Sequence, residues 1–250
     1  MCELFGMSCQ AADRGEYSLT TFGEDSDWNR DGWGLAWYDR DGSAQVRKAD
    51  EDGDGDFVAR KSTAYAGLTR TAESTLMIGH LRRASNGIQS TENSHPFIRR
   101  FQEKDWVFAH NGSIPGVRTH PRSMGGTDSE QVFHEMMDDL EDYLGRPGFR
   151  GTSPGVRKAV RGVLNRYSGR NKPLRFNFLL SDGTTLYAFH HYTDRPLYLA
   201  KRQKGYGGVV LISTYPYPLP SPEMVWKPLE KDRLLAVSGG MISLLSGRVR

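Results

Sequence analysis

Cys2 stands directly behind the initiator methionine, in the run Met1-Cys2-Glu3-Leu4-Phe5-Gly6-Met7. Aminopeptidases remove an initiator methionine when the next residue is small. The product carries a thiol and a free α-amine on one residue. That amine has a reference pKa of roughly 8, far below that of a lysine. It can act as a base at neutral pH for the nucleophile beside it, and no histidine partner is then required. The mostly apolar residues that follow predict a buried strand that holds the new terminus in place. A lone cysteine is also commonly just a small buried hydrophobe. The rest of the chain has to decide between these readings.

Four further stretches bear on that choice. Gly79-His80-Leu81-Arg82-Arg83-Ala84-Ser85-Asn86-Gly87 follows a buried apolar run. It puts two arginines and a hydroxyl just past a strand, where a guanidinium can hold a carboxylate bidentately. An ordinary surface arginine pair reads the same way. His110-Asn111-Gly112 ends the apolar run Trp106–Ala109. The Asn111 amide and the Gly112 N–H could form an oxyanion hole, although Asn-Gly more commonly marks only a tight turn. Asp128 falls in the first turn of a helix, where the macrodipole alone favours a carboxylate. Its functional reading is a grip on an ammonium group. Asn93-Ser94-His95-Pro96-Phe97 is a loop in which His95 reads as structural before chemical. His80, Ser85 and His95 are therefore supporting candidates only.

Taken together, these residues supply a thiol with its own base, an oxyanion hole, an arginine for a carboxylate and an aspartate for an amine. A substrate with an α-amino acid head and a γ-carbonyl under attack would use all four. Glutamine, or another γ-glutamyl compound, is such a substrate.

Composition narrows the class. A chain of 250 residues with formal charge +3 suits one large domain or two small ones. No stretch reads as a linker, so a single domain over residues 2–250 is expected. No basic block with interleaved aromatics suggests nucleic-acid binding. No apolar run of about 18 residues suggests a membrane span, and no secretory signal opens the chain. Cys2 and Cys9 are the only cysteines, which points to free thiols in a cytoplasmic protein. The seven histidines show no ligand spacing with cysteines or acids, so neither metal nor organic cofactor is indicated. The run Asp50-Glu51-Asp52-Gly53-Asp54-Gly55 imitates the start of a calcium loop. Its twelfth position, however, is Lys61 rather than a bidentate glutamate.

Several elements are predicted to position these residues. Residues 3–8 read as a strand and 10–31 as a loop with one helical turn. A hairpin turns at Asp39-Arg40-Asp41-Gly42. A helix is expected over Phe57–Thr69, and strands over Leu76–Leu81 and Trp106–Gly112. Thr127 and Glu130 have capping-box spacing at the start of a helix that Pro147 and Gly148 stop. A second amphipathic helix runs from Pro154 to Tyr167. Short strands follow at 175–181, 185–191, 197–201, 209–213, 234–237 and 241–246. Tight turns between strands mean antiparallel pairing, and helices segregated from such sheets make the class α+β.

The ordered stretches from Cys2 through Asp31-Gly32-Trp33-Gly34, Gly79–Gly87, Asn93–Phe97 and His110-Asn111-Gly112 to Thr127-Asp128-Ser129-Glu130 resemble the class II glutamine amidotransferases. These are N-terminal-nucleophile hydrolases. The chain is most similar to their compact stand-alone branch, which includes predicted bacterial amidotransferases and the amidase of ergothioneine biosynthesis. The resemblance implies a four-layer αββα sandwich of two antiparallel sheets between helix layers. It implies Cys2 as nucleophile through a thioester, and Asn111 and Gly112 as oxyanion hole. It further implies Arg82 for the substrate α-carboxylate, chosen over Arg83 by a Gly-His-x-Arg motif, and Asp128 for the α-amine. Where the synthetase-linked branch has an arginine ahead of the second strand, Trp28 stands here, so coupling to a synthetase is not carried over. Glutaminase activity that supplies ammonia to a separate synthetase chain, cleavage of a larger γ-glutamyl peptide or thiol precursor, and a non-catalytic glutamine-binding regulatory subunit all remain open.

Overall fold

The structure is a computed structural model that describes residues 2–49, 56–84, 89–146, 152–168, 174–202 and 207–249. The strand β1 (Glu3–Asp13) is buried over its first seven residues. It has partners on both edges, so its backbone donors and acceptors are satisfied without water. β4 (Ser74–Leu81) flanks it on one side and β10 (Val209–Ser213) on the other, both antiparallel. β2 (Trp33–Tyr38) and β3 (Ala44–Lys48) extend the sheet beyond β4. β9 (Tyr198–Arg202) and β11 (Lys227–Pro228) extend it beyond β10. The order is β11-β9-β10-β1-β4-β2-β3.

A second antiparallel sheet contains β5 (Phe97–Phe101), β6 (Lys104–Ser113), β7 (Arg175–Ser181), β8 (Leu186–His190), β12 (Leu234–Ser238) and β13 (Met241–Leu245). Its order is β13-β12-β8-β7-β6-β5.

Strand periodicity of two sorts the side chains into three apolar layers. Leu4, Ala36, Ile78, Ala109, Leu179 and Val210 interdigitate between the sheets. Their chain neighbours Phe5, Leu35 and Met77 point outward from the first sheet. There they meet Leu19 and Phe22 of α1 (Glu16–Glu24) and Tyr65 of α2 (Thr63–Thr71). On the outer face of the second sheet, Phe108, Phe176, Phe178 and Phe189 pack against two helices. These are α3 (Asp128–Leu144), through Phe133, Met137 and Leu140, and α4 (Thr152–Tyr167), through Val156, Val160 and Val163. The fold is thus a four-layer αββα sandwich of class α+β.

The predicted strands at 175–181 and 209–213 form with those bounds. Other segments differ. β1 runs to Asp13, not Ser8, because it re-pairs with Ser74 after a register shift. The expected loop over 10–31 contains α1, whose core contribution rests on two large apolar residues in a polar sequence. The helix expected over 57–69 is divided. A 3-10 turn at Ala59–Lys61 precedes α2, whose N-cap Ser62 accepts from the Tyr65 N–H at 3.2 Å. The strand β5 was not expected. It places Arg99 inward and Ile98 outward, because Arg99 pairs with Asp138 (2.8 Å) and Glu141 of α3. The acidic run 50–55 and the helix stop at Pro147-Gly148 lie outside the described residues. No helix among the described residues is long and apolar enough to cross a membrane.

Thr127 caps α3 by accepting from the Glu130 N–H at 3.3 Å. The Glu130 carboxylate turns to the Met124 and Gly125 amides at 2.8 and 2.7 Å. This fastens the preceding turn, whereas a reciprocal capping box would bind the cap residue's own amide. Thr127→Ala is expected to lower stability by about 1 kcal/mol in urea denaturation. A variant as stable as the wild type would contradict the capping role.

Candidate active site

At the head of β1, Cys2 meets Arg83 and Asn111. Cys2 is half-buried, and its thiol lies against the backbone of Arg83. Sγ accepts from the Arg83 N–H at 3.3 Å and donates to the Arg83 carbonyl at 3.4 Å. Burial pushes its pKa up. The Arg83 hydrogen bond, the amino-terminal charge and Arg82 pull against that shift, and Glu3 adds to it. The shift favours the protonated thiol. Cys9 is buried, and desolvation with nearby Asp13 pushes it up to about 12. Of the two thiols, only Cys2 is reachable.

Asn111 crosses from the second sheet to the first. Its Nδ2 donates to the Cys2 carbonyl at 2.6 Å. Gly112 follows with φ 154°, and a Cβ there would sit 1.9 Å from the Arg175 carbonyl oxygen. No other residue fits, so the strand end can come this close to β7 only with glycine. His110 fixes the same strand end from its outer face. Its ring nitrogens contact the Ser129 hydroxyl at 2.8 Å and the Arg175 carbonyl at 3.0 Å. The Arg175 carbonyl can only accept, so Nε2 carries the proton and Nδ1 accepts from Ser129.

Arg82 is buried while Arg83 is exposed. The Arg82 backbone pairs with Gly32 and Asp31 at 2.7 and 3.1 Å, and its guanidinium reaches the Asp31 carbonyl at 3.4 Å. Asp31 in turn accepts from the Ala84 N–H at 2.7 Å. The segment after β4 is thus tied to the segment before β2. Asp128, at the first position of α3, accepts from the Ile114 N–H at 2.6 Å and the Ser129 N–H at 3.0 Å. This holds its carboxylate next to the end of β6.

The supporting candidates separate. Ser85 lies outside the described residues. His80 and His95 are buried with ring centroids 4.2 Å apart, and His95 is 6.5 Å from His110. Gly34 makes this possible: it pairs with His80 in register, and a Cβ on it would lie 2.0 Å from the His95 carbonyl oxygen. No ring nitrogen of His80 or His95 has a hydrogen-bond partner among the described residues. Burial lowers His80 to about 3, helped by His110 and Arg82, and holds His95 well below its usual range. Both are neutral, buried packing residues. Among the described residues no group of three histidine, cysteine or acidic side chains could hold a metal ion.

Sequence reasoning missed Glu3, Asn177, Arg195 and Thr214, which surround the start of β1. The usable signal was Glu3 itself, a carboxylate inside an apolar strand.

A sandwich with a cysteine at the head of a central strand, facing an Asn-Gly strand end, can be compared with known proteins. Residues 1–215 match the family model of the class-II glutamine amidotransferases. The chain belongs to that family. It is 32% identical over 221 residues to an uncharacterized protein of Methanocaldococcus jannaschii, a match covering 84% of this chain. The chain spans 57% of that relative's own length. The fold is similar to that of a predicted glutamine amidotransferase from Pseudomonas aeruginosa, with TM-score 0.66 and 21% identity over 97% of this chain and 100% of that one. It is also similar to the glutamine phosphoribosylpyrophosphate amidotransferase from B. subtilis, with TM-score 0.63 and 16% identity over 97% of this chain and 48% of that one. At such identities the likeness to solved structures is one of fold.

The buried histidines make a stability prediction. The unfolded chain protonates histidine near pH 6.5, whereas folded His80 stays neutral to about pH 3. Between those values the unfolded state binds more protons, so stability falls as pH falls. Melting temperature should drop between pH 7 and pH 4 more steeply in the wild type than in His80→Gln. Identical slopes would contradict a neutral His80.

Proposed function

We propose that the chain is a single amidotransferase domain over residues 2–250 that hydrolyses γ-glutamyl amides, with Cys2 as nucleophile after removal of Met1. The observation that carries this reading is the Asn111–Cys2 hydrogen bond at 2.6 Å. It joins the residue that carries the thiol to the residue that carries the amide donor, and Gly112 is the next residue along β6.

In this mechanism the Cys2 α-amine takes the thiol proton, which the raised thiol pKa makes necessary. The thiolate attacks the γ-carbonyl carbon. The carbonyl oxygen becomes an oxyanion and accepts from the Gly112 N–H and from the second N–H of the Asn111 amide, the first being engaged by the Cys2 carbonyl. Losing one such donor costs on the order of 3 kcal/mol in barrier. The C–N bond breaks, and the leaving nitrogen takes the proton from the α-ammonium. The γ-glutamyl group stays on Sγ as a thioester. Water, deprotonated by the same amine, attacks the thioester carbon and releases the acid, restoring the thiol.

Arg82 meets the substrate α-carboxylate. It is buried beside the nucleophile, and the Cys2 thiol and the Asp31 carboxylate both act on its charge. Asp128 meets the α-ammonium. These contacts recognise the glutamyl head alone. Activity on glutamine, with ammonia passing to a separate synthetase chain, is therefore distinguished from cleavage of a larger γ-glutamyl amide by comparing kcat/KM on glutamine and on γ-glutamyl peptides.

Cys2→Ala should abolish turnover, and retained activity would contradict the mechanism. Asp128→Asn should raise KM by tenfold or more, on the order of 1.4 kcal/mol of lost binding, with kcat changed far less. A fall in kcat alone would contradict the ammonium contact.

A further inference from the structure

Glu3 directly follows the proposed nucleophile, yet the mechanism does not use it. Its side chain is 4% exposed. One carboxylate oxygen accepts from the Thr214 hydroxyl at 2.5 Å, and the other pairs with the Arg195 guanidinium at 3.3 Å. The same Thr214 hydroxyl accepts from the Leu4 N–H at 2.8 Å, and the Thr214 N–H donates to the Leu4 carbonyl at 3.2 Å. Arg195 is itself held: its carbonyl accepts from Asn177 Nδ2 at 2.5 Å. Asn177 is fully buried in β7 and stands opposite Asn111 in register. Asn111 closes the loop through the Cys2 carbonyl.

These contacts make a ring: Asn111, Cys2, Glu3, Arg195, Asn177 and back to Asn111. It joins the two sheets and the segment between β8 and β9. We infer that Glu3 is a positioning residue for the Cys2 nucleophile, and that its ionised form holds the ring closed through Arg195. This rests on the reading of Cys2 as nucleophile.

The charged groups around Glu3 set when the ring closes. Burial pushes its carboxyl up to about 7; the Thr214 hydroxyl, Arg195 and the amino-terminal charge pull it down, and Asp25 pushes it up. Asp25 belongs to the 3-10 turn Asp25–Asp27 and is itself raised by burial, with Arg195 opposing. Above neutral pH the Glu3–Arg195 ion pair forms; below it the carboxyl is neutral and that ion pair is lost. The acid limb of activity then contains two ionisations, that of Glu3 and that of the Cys2 amine.

The test compares Glu3→Gln, Arg195→Met and the double variant with the wild type, in kcat, KM and the pH profile of kcat/KM. Glu3→Gln keeps the volume and the Thr214 hydrogen bond but cannot ionise. Wild-type turnover of glutamine or a γ-glutamyl peptide is the prior check, and its absence sinks the functional reading itself. Given turnover, kcat at pH 8 should fall on the order of tenfold in Glu3→Gln, with KM within about twofold. The acid limb should lose its second proton and approach a slope of one. Arg195→Met should reproduce both effects, and the double variant should add little to either. An unchanged limb in Glu3→Gln, or losses that simply add in the double variant, would overturn the inference. Should Glu3→Gln fail to fold, Arg195→Met alone decides by the same limb.

Discussion

A single hydrogen bond across the sandwich organises the site. Asn111 belongs to β6 in the second sheet, Cys2 to the head of β1 in the first, and the amide-to-carbonyl contact at 2.6 Å joins them. The bond can exist only if the two sheets pack close at that end and the strands keep their register. A small residue serves the first condition: Gly34 of β2 lies against the carbonyl of His95, just ahead of β5, where a Cβ would collide. The second is imposed by the alternation of buried residues along β1 and β6. A slip of one residue would turn Leu4 and Ala109 out of the core between the sheets.

The polar groups at that end follow from the same geometry. Each has a fixed backbone partner before any substrate is present. The thiol rests on Arg83, Asp31 and Arg82 fasten each other's segments, Asp128 caps the approach of Ile114, and His110 bridges Ser129 and Arg175. Preorganisation of this kind is what an attack on an amide carbonyl requires, because the dipoles need not reorient as charge develops. The neighbouring His80 and His95 fill space without hydrogen bonds among the described residues and stay uncharged.

Much of this was legible in the residues alone, where chemistry depends on type and short spacing. A cysteine behind Met1, an Asn-Gly at a strand end, an arginine after a buried strand and an acid in a capped first turn each carry a local physical meaning. The choice of Arg82 over Arg83 came from the resemblance alone; of the two, Arg82 is the buried one. Strands with continuous apolar runs, such as β7 and β10, were readable for the same reason.

What was not legible depends on distant partners. Arg99 points inward only because Asp138 and Glu141 lie on a helix some forty residues on. The helix α1 is polar in sequence and exists because Leu19 and Phe22 find the outer face of the first sheet. Glu3 meets Arg195 and Thr214 across most of the chain's length, and no local pattern announces that.

The central claim is that a processed Cys2 attacks the γ-carbonyl of a glutamyl substrate. Its most direct test is the intact mass of the purified chain before and after exposure to a diazoketone analogue of glutamine, with peptide mapping of any adduct. The account predicts loss of Met1 and one covalent adduct on Cys2, suppressed by excess glutamine or a γ-glutamyl peptide. A chain that keeps Met1, or that loses it and is not modified at Cys2, would contradict it.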